Sequence, residues 1–502
     1  MAVEFFSAKN ACESARANGV LLHSSYNPQA EAERFAHSLE AAFIPSRVII
    51  LEGALSYALP YLRQKFKGAK IGCARYCDDF LKSDSLWDFC IPLNDKKNGV
   101  PFSERLFSFL GEEELFQCVF YEWPPSARAW PKESKEAWKE IKAAMEKAKT
   151  LLATREYFSK RWIKNKILFF EKLRKTCALK KTSLPVLICA SGPSLESAAP
   201  SIRNVRKKLF VCALSSSISA LKRLGIEPDL CLSTDGGHWA KKHLETLKKI
   251  FLKSPLALAS EGACPSALFK EKSILPICYD DDTLSIKLAK AMGITFVSGR
   301  RNGTVSGSAL ELFLQNSFGP IFFAGLDLQN SKSGGHARPN ALDAMNEEKD
   351  FRLSPKEKRA AAASFKNPSL EIYADWFSSF GLGERKVYRI AGRKKFERTL
   401  GMIKDISEKE FESLLEKEKE ISAKDKFIFE CGGPSIPLEK RTAAIKKTLE
   451  EEQKDLSLAK EIFPADCIMA KREKNEEEKA RCFRLIEEKT KNLLQDIFKE
   501  RA

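Results

Sequence analysis

The sequence has no apolar run of the ~18–20 residues that a bilayer crossing takes. Its apolar stretches, such as Pro185 to Ala190 or Ile321 to Leu326, have the length of buried strands. A helical membrane span is therefore excluded. The opening text, MAVEFFSAKNACESARANG, carries Glu4 early and lacks a basic-then-apolar order, so no export signal is expected. Histidine is scarce, with five in all. Cys73 and Cys77 form the closest cysteine pair, but no second pair or histidine follows at zinc spacing, so no metal ligands are expected. No aromatic-and-basic ribonucleoprotein signature occurs either.

What is present is a large globular complement. Hydrophobic residues make up 44% and aromatics 10% of 502 residues, enough for several buried cores, and the length fits two to four domains. The 14 cysteines are scattered, many beside apolar neighbours (Cys189, Cys212, Cys231, Cys278). They read as reduced core thiols, and the expected location is the cytoplasm. Lys and Arg number 84 against 67 Asp and Glu, a net charge of +17. Much of it lies in mixed-sign helical text such as EKEFESLLEKEKEISAKDK, a solvated face, so nucleic acid ranks last among partners.

The organisation expected from the text is an N-terminal α/β domain over 1–150, a helical linker over 151–182, a central domain over 183–345 and a mainly helical C-terminal domain over 346–502. The first part holds strand-like runs at Ser46 to Leu51 and Lys70 to Ala74. Trp162, Ile163, Ile167, Phe169, Phe170 and Leu173 then form an amphipathic stripe that predicts packing on the next domain. From Ser183 short apolar strands alternate with helical connections (PVLICA, LFVCAL, LCLSTD, PLALAS, ILPICYD, TFVSG, PIFFAGLD). That pattern predicts a mostly parallel sheet covered on both faces.

Ligands of such sheets bind beyond the carboxyl ends of the strands, so each strand end is a candidate. The first reads Ala190-Ser191-Gly192-Pro193-Ser194-Leu195, where backbone N–H groups at a helix start favour an anion. It is neither a Walker loop nor GxGxxG, and a helix cap explains it equally well. Ser215-Ser216-Ser217 offers hydroxyls for a base or sugar. Asp235 ends the third strand, where an acid can hold a ribose or a metal. Asp280-Asp281-Asp282 reads as a solvated turn. Gly303 to Ser308 forms a second glycine- and hydroxyl-rich anion cradle ahead of a helix. His336 stands in a polar, glycine-flanked loop after Asp327, and imidazole can accept a proton near neutral pH.

Taken in order, LPVLICASGPSL, LKRLGIEPDLCLSTD, GTVSGSALELFLQNSFGPIFFAGLDLQ and GGHA resemble the core of the motility accessory factor (Maf) family of flagellin glycosyltransferases. That core is similar to CMP-sialic-acid-dependent sialyltransferases and to 6-hydroxymethylpterin diphosphokinases. LLHSSYNPQAEAERF and NKILFFEKLRK extend the resemblance to most of the chain up to about residue 345. It implies an α/β fold: a central Rossmann-like, sialyltransferase-like parallel-sheet domain between an N-terminal α/β and a C-terminal helical domain. It implies transfer of a pseudaminic- or legionaminic-type nonulosonic acid from a CMP donor to Ser/Thr hydroxyls of flagellin.

Carried over by residue, the resemblance implies nucleotide-sugar binding by Gly192, Pro193, Ser194, Ser215, Asp235, Ser306 and Gly307, with His336 as base and Asp327 as the second catalytic residue. N–H groups from Gly192 to Leu195 and around Ser306 would cradle the departing phosphate. No cofactor is required, although a divalent metal such as Mg²⁺ is compatible. The family's glycine-rich turn reads here Glu52-Gly53-Ala54-Leu55-Ser56-Tyr57. A glutamate where backbone would meet phosphate argues against nucleotide binding in the N-terminal domain. The competing functions are a pterin diphosphokinase-like enzyme using Mg²⁺ on Asp235 and Asp327, and a non-catalytic flagellin-binding protein.

Overall fold

The structure is a computed structural model that describes residues 3–94, 100–329, 335–341, 348, 351–353, 368–391, 396, 398–422 and 427–499. Two compact units result, Met1–Ser159 with Ala459–Ala502, and Lys160–Leu458. The helix Pro131–Lys172 is continuous across the expected boundary and supplies residues to each unit.

In the first unit β1 (Glu4–Ser7), β2 (Glu13–Ala17) and β3 (Val20–Leu21) form an antiparallel meander. A second, parallel sheet contains β4 (Arg47–Leu51), β5 (Lys70–Arg75), β6 (Phe89–Pro92) and β7 (Cys118–Glu122) in the order β6-β5-β4-β7. Successive side chains of β4 point to opposite faces. Val48 and Ile50 therefore enter one core with Ala32, Leu62 and Trp123, while Ile49 and Leu51 enter another with Leu106, Leu110 and Ile141. Burial on both faces is what the continuous apolar run predicts.

The second unit is built on an 11-stranded sheet. Its strands are β8 (Thr176–Leu179), β9 (Val186–Cys189), β10 (Phe210–Leu214), β11 (Leu230–Ser233), β12 (Leu256–Ala259), β13 (Ile274–Tyr279), β14 (Val297–Gly299), β15 (Ile321–Ala324), β16 (Val387–Ile390), β17 (Lys404–Ile406) and β18 (Ile428–Gly432). The order is β17-β16-β15-β9-β10-β11-β12-β13-β8-β18, with β14 also on β13. All pairs are parallel except β18 on β8. The α/β class with a large parallel sheet thus stands.

The helical domain expected from residue 346 does not. VYRI (387–390) and KDI (404–406) extend the parallel sheet beyond β15: Val387 buries in one core with Phe323 and Phe377, and the wholly buried Ile390 pairs with Ile406. The last helices, Pro464–Arg472 and Glu476–Lys499, belong with the first unit instead. Among the described residues no helix is long and apolar enough to cross a membrane.

Candidate functional site

From β9 the chain steps through β10 to β13 on one side, while β15 lies on the other. The carboxyl ends of β9 and β15 therefore flank the switch point where such sheets open a crevice. Gly192 follows β9, and its N–H donates to Gly325 O at 2.8 Å. A Cβ at Gly192 would stand 2.5 Å from that oxygen and 2.6 Å from Asp327 Cγ, so only glycine fits. Ser194 N–H donates to Asp327 Oδ2 at 3.0 Å, the Ser194 hydroxyl donates to Oδ1, and Leu195 N–H donates to Gly192 O at 3.0 Å.

This corrects the expected phosphate cradle. The N–H groups of Gly192, Ser194 and Leu195 are all taken, and Pro193 has none. The negative group at the start of helix Ser194–Val205 is the chain's own Asp327 carboxylate. Asp327 locks two strand ends together. We expect Gly192→Ala to push Asp327 off Ser194 and to cost about 1–3 kcal/mol as an overpacking change, read as a lower thermal midpoint.

The serine turn after β10 is tied to the same loop. Ser216 Oγ donates to Ser191 Oγ at 3.0 Å and Ser217 Oγ to Cys189 O at 2.7 Å, while Ser215 is buried. Residues 335–340 close over it. Ala337 N–H donates to Ser191 O at 2.7 Å, and Asn340 Nδ2 to Ser216 O at 3.2 Å. Arg338 N–H reaches Glu196 Oε1 at 2.7 Å, and Arg223 bridges Glu196 and Arg338 O. His336, half-buried, is thereby held above the Ser191 loop.

A second histidine lies within its electrostatic reach. His243, on helix His238–Glu245, has its pKa lowered by burial first and then by His336, with Asp235 pulling the other way. His336, His243 and Asp235 therefore form one electrostatic cluster. His243 was missed because a helical histidine among lysines has no sequence mark. Asp235 is exposed and accepts Gly237 N–H at 2.7 Å. The adjacent glycines have a steric cause: a Cβ at Gly236 would stand 2.6 Å from the Trp162 ring. Gly236→Ala should therefore displace Trp162, lowering the thermal midpoint and raising tryptophan accessibility to acrylamide.

At the second cradle Thr304 caps helix Val305–Asn316, its Oγ1 accepting Gly307 N–H at 2.7 Å. A Cβ at Gly307 would meet Asn302 Oδ1 at 2.7 Å and Trp376 at 2.9 Å. Ser306 sits half-buried in that first turn, and the helix packs across β9, β10 and β11. The triple aspartate is the solvated turn expected at Asp280 and Asp281, which are exposed, but not at Asp282. Asp282 is fully buried on Lys166 at 2.9 Å, Asp281 pairs with Arg301, and Asp280 accepts the Ser298 hydroxyl. Among the described residues no three His, Cys, Asp or Glu side chains are grouped to hold a metal ion. A cavity of about 630 Å³ opens at the opposite, amino-terminal edge of the sheet, lined by Arg206, Asp229, Pro255 and Phe427. None of the expected site residues lines it.

The fold is that of an α/β protein whose second unit gathers the Ser191, Ser216 and His336 segments beyond the carboxyl ends of a large, mostly parallel sheet. Residues 160–333 match the family described as 6-hydroxymethylpterin diphosphokinase MptE-like. An uncharacterized protein of Treponema pallidum (strain Nichols) is 32% identical over 353 residues, 69% of this chain and 75% of that protein. The chain belongs to the same family as that Treponema protein. A solved Maf glycosyltransferase from Magnetospirillum magneticum AMB-1 is similar over 99% of this chain and 91% of its own, at 11% identity and a TM-score of 0.48.

Proposed function

We propose that the second unit is a cytoplasmic glycosyltransferase that moves a nonulosonic acid from a CMP donor to Ser/Thr hydroxyls of flagellin. The observation that carries this reading is the placement of His336: its loop is hydrogen-bonded to the Ser191 and Ser216 turns, and His243 and Asp235 share its field. A base fixed at a strand-end crevice suits a reaction in which an acceptor hydroxyl must lose a proton.

The acceptor O–H gives its proton to the His336 imidazole as its oxygen bonds the anomeric carbon. The bond from that carbon to the CMP phosphate breaks, and its electron pair leaves with the phosphate. With the Gly192–Leu195 N–H groups committed, stabilisation of that phosphate falls to the first turn of helix Val305–Asn316, where Ser306 lies and the helix dipole is positive. Asp235 and Ser215 are assigned to the nucleoside. The reaction so written uses no cofactor. The His336→Ala variant should lower transfer by about 10²–10⁴-fold while CMP still binds. Flagellin from cells with and without this gene should differ in intact mass by the sugar, and equal masses would remove the reading.

The match of residues 160–333 favours a second reading, diphosphate transfer to a pterin. Asp235 and Asp327, the carboxylates that would hold Mg²⁺, turn instead to Gly237 N–H and to Ser194, and do not form a ligand set. Thermal shifts with CMP against ATP, each with and without Mg²⁺, separate the two: stabilisation by ATP and Mg²⁺ alone selects the second.

A further inference from the structure

The ends of β12, β13 and β14 hold a buried ionic network that no step above uses. Lys166 Nζ lies 2.9 Å from Asp282 Oδ2 and 3.9 Å from Glu261 Oε2. Arg301 Nη1 donates to both Glu261 oxygens at 2.6 and 2.8 Å, and its Nε donates to Asp281 at 2.9 Å. The Lys166 and Asp282 side chains are wholly buried and Glu261 is 5% exposed. Ion pairs this deep return little stability, because desolvation offsets the attraction, so the cost fits a geometric role.

The geometry shows which role. The Arg301 guanidinium lies between two rings, 5.0 Å from the Trp162 centroid and 4.8 Å from that of Tyr279. On one side, Trp162 presses on Gly236, next to Asp235, and Asn165 Nδ2 on the same helix donates to Gly236 O at 3.3 Å and Glu261 O at 2.8 Å. On the other side, Arg301 is bonded in sequence to Asn302, whose Oδ1 accepts Thr304 N–H at 3.1 Å, and Thr304 caps the helix carrying Ser306. Tyr279 faces both, since the hydroxyls of Ser308 and Thr234 act on its phenol.

We propose that Arg301 is a positioning residue that joins the Ser233–Gly237 turn to the Asn302–Ser308 segment, so that two walls of the donor site keep one spacing. The proposal rests on the reading that this crevice binds a nucleotide sugar. Lysine cannot replace it: an ammonium keeps the charge but loses the flat face between the rings and the second nitrogen, Nε, that holds Asp281 while Nη1 holds Glu261.

The test compares the full-length wild type with Arg301→Lys and with Trp162→Leu, which removes one ring and leaves Glu261 paired. Hydrogen exchange of peptides covering 233–238 and 300–308 is measured without ligand, and CMP affinity by calorimetry. In both variants exchange should rise in the two segments together, and CMP should bind about tenfold more weakly or worse. Faster exchange in one segment with the other unchanged overturns the proposal, as does unaltered CMP affinity. Should Arg301→Lys not fold, Trp162→Leu decides alone by the same criteria. If the wild type binds no CMP, the glycosyltransferase reading fails, and exchange still decides the coupling.

Discussion

Lowering the pH from 6.5 toward 3 should remove as much as about 5 kcal/mol of stability from the first unit through one side chain, His23. Burial depresses its pKa from 6.5 to about 3. An unfolded chain binds the proton near 6.5 and the folded one refuses it until about 3. Acid therefore favours unfolding across that interval, at about 1.4 kcal/mol per pH unit. The contribution is complete above pH 6.5 and is lost progressively on the way down. The ring is 1% exposed, packed between Tyr57 and Trp123, and its Nε2 accepts Leu55 N–H at 3.1 Å, which requires the neutral form. In a His23→Gln variant, which keeps an acceptor, urea midpoints should fall less steeply between pH 6 and 4 than in the wild type. Parallel curves would refute the assignment. Imidazole resonances of His23 should also stay unshifted down to pH 4.

The second large effect is expected at Glu52. Its carboxylate, wholly buried, accepts Arg75 Nη1 at 2.8 Å, Tyr76 N–H at 2.6 Å and Ala54 N–H at 3.2 Å. Glu52→Ala strands those donors in the core and should cost about 3–5 kcal/mol, seen as a lower denaturation midpoint. Glu52→Gly should lose about 1 kcal/mol less. Glu52, Ala54 and Ser56 all hold left-handed backbone, with φ of 47°, 46° and 67°, where a Cβ is strained and glycine is not. Equal losses in the two variants would show that the strain is not borne there. Around this turn Gly53 N–H goes to Cys73 Sγ at 3.4 Å and Leu55 N–H to His23. The N–H groups of the turn at the end of β4 are thus directed to side chains of the same unit.

Much of the fold was legible because its signals are local. Runs such as LFVCAL and PLALAS announce buried parallel strands by composition alone, and Ser194 and Thr304 stand where helices begin. β16 to β18 were not legible. They are short, they follow a long polar stretch, and their burial depends on partners that sequence does not place beside them. The site divides in the same way. Gly192, Gly307 and Asp327 could be named from motif spacing, but not that Asp327 would close the Ser194 turn. The Lys166–Asp282–Glu261–Arg301 network was invisible because its members come from a helix and three strand ends, and charge in text looks the same whether buried or solvated. Gly236 had no local reason, since its reason is Trp162, far away in sequence.

The first unit is assembled from two stretches of chain, with the whole second unit between them. Lys474 Nζ donates to Ala41 O at 2.8 Å and Arg472 lies 3.9 Å over the Phe43 ring, so the late segment completes packing begun at the start. On a ribosome adding ~5–20 residues each second, the early segment waits tens of seconds for its last helices. During that time the second unit can finish folding while the first still shows apolar surface. Nascent chains stalled after Leu458 should accordingly be held by chaperones at their amino-terminal half, and the protein's birth has an order that its finished form conceals.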